Sequence, residues 1–266
     1  MTIVFLVLNL LIGIAIPVGL CIFWRVRRKC SLAAFFTGCG VMLLFALGLE
    51  QIVHRVVLGS AAGAVIQGNL WLYALYGGLM AGLFEETGRL LGMKLLLKKK
   101  QDNDYNALMY GAGHGGFEAF VILFFGMLNN LIYALMINSG QSGLLLQSLD
   151  EATGATMQAV FQTLSQSSPF LFLAAPVERI AAVAGQIALS VLVWIAATRK
   201  NRTGLYFLAI LLHFLLDAVA VVCSGLGVPT ALVELAVILI AAAYLWLAAA
   251  MWRKNGLGGR TQVCGE

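Results

Sequence analysis

Four short polar clusters interrupt long apolar stretches of this chain. They are Glu85-Glu86-Thr87-Gly88-Arg89, His114 with Glu118, Glu178-Arg179, and His213 with Asp217. Ionisable side chains inside a bilayer are costly, so each needs a partner or a function. Carboxylates and imidazoles are also the side chains most used in general acid–base catalysis. The clusters therefore predict a catalytic or proton-carrying site within a membrane domain.

The first cluster places two carboxylates beside one guanidinium. Glu86 and Arg89 are three residues apart, and Glu85 and Arg89 are four apart, so either acid can meet Arg89 on one helix. Two adjacent glutamates cannot point the same way on a helix. We expect one to pair with Arg89 and the other to remain free in an apolar cavity, where it could act as a general base on water.

The two histidines in these clusters each have an acidic residue four positions later. His114 precedes Glu118, and His213 precedes Asp217. This spacing puts each pair on one helix face, so each imidazole is expected to be held by the acid of its own helix. A carboxylate partner fixes the tautomer and orientation of a histidine. Such a histidine could stabilise an oxyanion or protonate a leaving group.

The composition of the chain indicates which kind of protein must position these residues. The chain has 266 residues, of which 61% are hydrophobic and 11% charged, against about 25% charged in soluble domains. The net charge of +5 comes from short basic clusters between apolar runs, as in polytopic membrane proteins. A soluble enzyme, a disordered chain and a nucleic-acid-binding module are excluded. The membrane bilayer is the expected partner, and the cell membrane the expected location.

We predict an all-α bundle of about seven transmembrane helices in a single integral membrane domain, residues 1–266, with the core motifs within about 70–223. The basic clusters alternate between loops so that the N-terminus is out and the C-terminus in. An extracytoplasmic connector at about 138–168 is either an amphipathic helix on the outer leaflet or a plain loop. The predicted spans are 3–24, 31–52, 70–97, 105–137, 170–198, 204–223 and 230–252.

The main polar residues fall at one depth. At a rise of 1.5 Å per residue, Glu85, His114 and His213 lie about 15–20 Å from the charged residues at the predicted cytoplasmic ends of their helices. Three separate helices thus place them near the middle of the bilayer, which favours one shared site.

Other polar residues receive simpler interpretations. Glu178-Arg179 is either part of the site or a structural pair. Glu50 and His54 are expected at the interface, and Asp104 in a solvated loop. Glycines surround His114 and recur along 78–92. They allow either close helix packing or the approach of a substrate backbone.

Three functions fit these residues. The first is an intramembrane endopeptidase acting on transmembrane or membrane-associated proteins, without a metal cofactor. Its variant is a zinc enzyme with His114, Glu118, His213 and Asp217 as ligands, although no His-Glu-x-x-His motif is present. The second is a proton-coupled transporter, and the third is a non-catalytic membrane scaffold.

The motifs resemble the CAAX-protease-like superfamily of intramembrane proteases, which includes the PrsW-related proteins. The resemblance rests on Glu85-Glu86-x-x-Arg89, a histidine on the next helix, and His213-x-x-x-Asp217. Glu-Glu-Thr-Gly-Arg followed by Gly-x-Gly-His-Gly-Gly-x-Glu is most similar to the YhfC family. The similarity extends from about the third to the sixth span.

The resemblance implies a glutamic-type mechanism. Glu85 would activate water, Glu86 and Arg89 would support it, and the two histidines would hold the water or the oxyanion. Asp217 would replace the Asn or Asp of the third motif. Only Thr87 and Gly88 separate Glu86 from Arg89, whereas the prenyl-protease branch has three residues there. A prenylated substrate is therefore not expected.

Overall fold

The computed structural model describes residues 2–167 and 172–258. These residues are helical with no strand, which confirms the predicted all-α class. The helices are α1 (Thr2–Arg28), α2 (Leu32–Val41), α3 (Gln51–Leu58), α4 (Ala61–Gln67), α5 (Leu70–Leu91), α6 (Asn106–Phe120), α7 (Met127–Asn138), α8 (Ser142–Gln147), α9 (Glu151–Gln166), α10 (Ala174–Thr198), α11 (Gly204–Gly225) and α12 (Thr230–Lys254).

Three wide π-helical segments extend or join these helices. Met42–Glu50 joins α2 to α3, Gly92–Leu96 extends α5, and Val121–Gly126 joins α6 to α7. A short 3-10 turn, Lys98–Lys100, follows the third predicted span. The joined helices are long enough to cross a bilayer as single units.

Within the described residues, six helical units are long and apolar enough to span a membrane. They correspond to six of the predicted spans, so the chain is a multi-pass membrane protein. The remaining predicted span, 70–97, contains α5 and is not among these six units. Helix α5 carries three buried charged residues, Glu85, Glu86 and Arg89. The count of seven and the orientation remain predictions. The first residues of the fifth predicted span, 170 and 171, lie outside the described residues.

Helix α10 is the centre of the bundle. In its most apolar stretch 72% of the residues are buried, against 11–33% in the other five spanning units. It packs against α6, α11 and α12, while α5 packs against α11 and α2 against α6. Polar side chains on the inner face of α10 are therefore shielded from lipid and can reach three other helices.

Close helix contacts depend on glycine. A Cβ atom on Gly38 of α2 would lie 2.3 Å from the Tyr110 carbonyl oxygen and 2.7 Å from the His114 nitrogen. A Cβ atom on Gly82 of α5 would lie 2.8 Å from the Ile210 carbonyl oxygen of α11. The first contact fixes the backbone of α6 at His114, and the second brings α5 to the helix that carries His213.

The glycines around His114 also serve helix packing. Cβ atoms added to them would come within 3.0 Å of atoms on α1, α2 or α10. The neighbouring residues are Pro17, Phe35, Gln186 and Ile187. Helix α6 is thus enclosed on three sides, which supports the packing alternative for these glycines.

The connector at 138–168 is helical over its described part. Asp150 caps α9 by accepting hydrogen bonds from the Thr153 nitrogen at 3.0 Å and the Thr153 hydroxyl at 2.7 Å, and these bonds lower the pKa of Asp150. Leu164 packs with Leu6 and Ala134. The segment is therefore docked on α1 and α7, and its last residue, 168, lies outside the described residues.

The expectation of a solvated Asp104 is wrong. Its side chain is buried and accepts hydrogen bonds from Trp194 Nε1 at 3.1 Å and from Arg199 Nη2 at 3.0 Å. The Gly258 nitrogen donates to it at 3.3 Å. Sequence position suggested a loop residue, but partners ninety or more positions away enclose this carboxylate.

The contact at Gly38 yields a stability prediction. Gly38→Ala should lower the free energy of unfolding by about 2 kcal/mol or more, because the added methyl group meets backbone atoms that cannot move aside. Gly40→Ala is the matched control on the same helix, since nothing lies within 4 Å of a Cβ there. It should be neutral or stabilising by up to about 1 kcal/mol. Unfolding in detergent micelles measures both, and equal effects would contradict the contact.

Candidate active site

The core of the site is formed where α5 meets α11. His213 Nδ1 lies 2.7 Å from Glu86 Oε1, a hydrogen-bonding distance. The other ring nitrogen, Nε2, lies 3.8 Å from Glu85 Oε2. The side chains of Glu85 and Glu86 are 8% and 0% exposed. The two adjacent glutamates therefore both contact His213, one at each ring nitrogen.

Helix α6 adds the second histidine. His114 Nε2 lies 2.8 Å from Glu85 Oε2, and the imidazole is fully buried. The predicted pairing of His114 with Glu118 is therefore wrong. The four-residue spacing puts both side chains on one face of α6, but the packing of α6 turns His114 towards α5 and Glu118 towards α10. The predicted convergence of Glu85, His114 and His213 is present in the structure.

Asp217 marks the point where this cluster reaches the surface. Its Oδ2 lies 3.6 Å from His213 Nε2, and its side chain is 39% exposed, against 4% for His213. The expected contact between this acid and the histidine of its own helix is present, at ion-pair distance. Access from outside the bundle is thus greatest on the Nε2 side of His213.

Arg89 balances the charge on α5. It is fully buried, and its Nε lies 3.5 Å from Glu86 Oε2. The prediction that Arg89 pairs with one acid of its own helix is confirmed, and that acid is Glu86. The two terminal nitrogens donate to Gln186, to the carbonyl oxygen at 3.1 Å and to Oε1 at 2.5 Å.

Gln186 is the site residue that sequence reasoning did not include. Its Nε2 donates to Glu85 Oε2 at 3.1 Å and to Glu118 Oε2 at 3.0 Å. The available signal was a single amide in the apolar run of α10, two turns after Arg179. That signal identifies a polar residue on the inner face, but not its partners on α5 and α6.

A second, more exposed layer lies beside the first. Arg179 Nη1 donates to Glu118 Oε1 at 2.9 Å, and Nη2 contacts Glu178 Oε1. The side chains of Arg179 and Glu118 are 14% and 16% exposed, and that of Glu178 is 37% exposed. Glu178-Arg179 is thus joined through Glu118 to Gln186 and the buried cluster.

The pair formed by Glu50 and His54 makes none of these hydrogen bonds, but Glu50 is close enough to interact electrostatically with Glu85, His213 and Asp217. His54 Nε2 lies 3.1 Å from Glu50 Oε1, and Nδ1 lies 2.9 Å from the Tyr76 hydroxyl. Glu50 is 5% exposed, so the expected interfacial position does not hold for its carboxylate.

The donor types around His213 suit zinc. Imidazole nitrogens and carboxylate oxygens are its usual ligands, and two ligands of a tetrahedral zinc lie about 3.4 Å apart. His213 Nε2 has two carboxylate oxygens at 3.6 and 3.8 Å. Its Nδ1 contact with Glu86 is the arrangement that orients a ligating histidine. Among the described side chains, no group of three His, Cys, Asp or Glu already has metal-binding geometry.

Comparison with known proteins identifies relatives. A family model described as YhfC intramembrane metalloprotease matches residues 12–239. The uncharacterized membrane protein YhfC of Bacillus subtilis (strain 168) is 38% identical over 244 residues, which cover 90% of this chain and 92% of that protein. No solved structure matches the chain.

The burial of Arg89 yields a second prediction. Arg89→Met should lower the free energy of unfolding by about 3–5 kcal/mol, because Glu86 would keep a buried charge without its guanidinium partner. Arg55→Met, at an exposed position, should change it by less than about 0.5 kcal/mol. Denaturant titration in lipid–detergent micelles measures both variants. Similar losses in the two would mean that Arg89 is not the compensating charge.

Proposed function

Because this chain belongs to the YhfC family of intramembrane metalloproteases, we propose that it hydrolyses peptide bonds of transmembrane or membrane-associated proteins at the Glu85 cluster. The observation that carries the proposal is the placement of one carboxylate oxygen, Glu85 Oε2, 2.8 Å from His114 Nε2 and 3.8 Å from His213 Nε2. A buried carboxylate between two imidazoles is suited to moving a proton during hydrolysis.

In the proposed reaction, Glu85 removes a proton from water. The resulting hydroxide attacks the carbonyl carbon of the substrate, and the carbonyl oxygen becomes an oxyanion. When the C–N bond breaks, the proton held by Glu85 passes to the leaving amine, so the carboxylate is restored. Oxyanion stabilisation by placed donors is a large part of catalysis in acyl transfer.

His213 is the proposed donor to the oxyanion. Its Nδ1 contacts Glu86, so a protonated imidazole presents Nε2–H on the side of Asp217. That side is the exposed edge of the cluster, where a substrate backbone would approach. His114, which is fully buried, lies 2.8 Å from Oε2 of Glu85 and fixes the orientation of that carboxylate.

A zinc-dependent form of the same reaction is the second candidate. It is supported by the family description and by the donors that meet beside Glu85, which are the His114 and His213 imidazoles and the Asp217 carboxylate next to His213. His114, His213 and Asp217 would hold the ion, whereas Glu118 is engaged by Arg179 and Gln186. Bound zinc polarises a carbonyl and acidifies water. Glu85 would remain the proton acceptor.

Loss of the Glu85 charge tests the function. Glu85→Gln should reduce cleavage by at least about a hundredfold, since the amide cannot accept the proton of water. Purified wild-type protein and variant are incubated with membranes of the expression host, and new N-termini are identified by mass spectrometry. Glu151→Gln, on the exposed first turn of α9, is the control and should match the wild type. If Glu85→Gln produced the same new termini at the same rate, the proposal would be wrong.

Metal content separates the two mechanisms. The zinc form predicts about one zinc per purified chain, lost in His213→Ala and retained in Glu118→Gln, with cleavage blocked by 1,10-phenanthroline. The glutamic form predicts cleavage that persists after metal removal and in the presence of the chelator. Elemental analysis of the purified protein and the cleavage assay with and without chelator decide between them.

A further inference from the structure

We propose that Gln186 is a positioning residue that fixes Glu85 through Oε2, so that Oε1 is the oxygen that accepts the proton of water. The inference rests on the proposed peptidase function and adds a specific requirement to it, an amide side chain at position 186. Gln186 lies on the inner face of α10 and is 6% exposed.

Every hydrogen-bonding group of the Gln186 side chain is used. The amide oxygen accepts from Arg89 Nη2 at 2.5 Å. The amide nitrogen donates to Glu85 Oε2 at 3.1 Å and to Glu118 Oε2 at 3.0 Å. One side chain therefore joins a buried cation to two carboxylates on two different helices.

The chemistry of these neighbours fixes the direction of the amide. A guanidinium only donates hydrogen bonds, and an ionised carboxylate only accepts them. The reversed amide would place its NH2 group against Arg89 and its oxygen against both carboxylates. A glutamate would likewise face them with an oxygen, and a methionine would offer neither donor. Position 186 thus requires an amide to satisfy all three neighbours.

The consequence for Glu85 is that its two oxygens differ. Oε2 is within hydrogen-bonding distance of Gln186 Nε2 and His114 Nε2. No described residue donates a hydrogen bond to Oε1. Since donors stabilise negative charge on the oxygen they contact, Oε1 is the oxygen left for the proton of a reacting water.

Gln186 is also connected, through Arg89 and Glu86, to His213. It holds both terminal nitrogens of Arg89, the Nε of Arg89 faces Glu86, and Glu86 contacts His213. The proposed base and the proposed oxyanion donor are therefore aligned by the same residue. Residues in one such network are expected to act as a unit.

Two variants test the amide requirement. Gln186→Glu keeps the size and an acceptor for Arg89 but removes the donor to Glu85, whereas Gln186→Met removes both. We expect kcat to fall roughly 10–100-fold in each, as for other residues that orient a catalytic group, with KM changed by less than about threefold. The assay is the membrane-protein cleavage assay, repeated with one identified substrate peptide.

Ser190→Ala is the matched control. Ser190 is buried one turn later on α10 and donates to the Gln186 carbonyl oxygen at 2.8 Å, but it contacts none of the carboxylates. Its kcat should stay within about threefold of the wild type. A variant with reduced kcat is counted only if its unfolding transition in detergent matches that of Ser190→Ala, which separates positioning from loss of fold.

Infrared spectroscopy supplies a readout that needs no substrate. The difference spectrum between the wild type and Glu85→Gln isolates the carboxyl band of Glu85. In Gln186→Met this band should shift, because Oε2 loses one of its two donors. An unshifted band together with unchanged kcat would overturn the positioning role. If Gln186→Glu fails to fold, the infrared comparison with Gln186→Met still tests the positioning role.

The outcomes distinguish the inference from the proposed function. If Glu85→Gln is inactive and both Gln186 variants have wild-type kcat, the positioning role is wrong and the peptidase assignment stands. If Glu85→Gln is fully active, the proposed function fails, and a band shift in Gln186→Met would then report a purely structural hydrogen bond, which also ends the positioning role.

Discussion

Pairing of the buried charge on α5 is the constraint on which the rest of the structure depends. Arg89 and Glu86 are both fully buried, and an unpaired charge in such a position would cost several kcal/mol. Neither residue is satisfied by the other alone, so α10 supplies Gln186 and α11 supplies His213. The close contacts that bring these helices to α5 therefore satisfy charges as well as pack apolar surface.

The polar residues form two layers with different roles. The inner layer consists of Glu85, Glu86, Arg89, His114 and His213, all nearly excluded from solvent. The outer layer consists of Glu118, Arg179, Glu178 and Asp217, whose side chains are 14–39% exposed. Gln186 joins the layers through Glu118, and Asp217 joins them through His213. The proposed reaction needs this combination, because a rigid buried base must still meet water and substrate at one edge.

Sequence patterns predicted the helical class, the positions of six spanning units and the common depth of Glu85, His114 and His213. These features follow from local apolar runs and from a fixed rise per residue. The partner of His114, the burial of Asp104 and the role of Gln186 were not predictable in this way. Each of these three features depends on a contact between helices more than twenty residues apart in the sequence. It also depends on which face of a helix packs towards the interior of the bundle. Spacing on one helix identifies residues that share a face, but not the neighbour that this face meets.

The long separations within the cluster have a consequence for biosynthesis. Glu86 and His213 are 127 positions apart, so at about 5–20 residues per second the ribosome makes His213 roughly 6–25 s after Glu86. During this interval the two glutamates are without their partners on α10 and α11. Arg89 emerges only three residues after Glu86 and can pair with it as soon as their helix forms. The same ion pair that belongs to the finished cluster thus compensates the charge of Glu86 from the moment α5 forms.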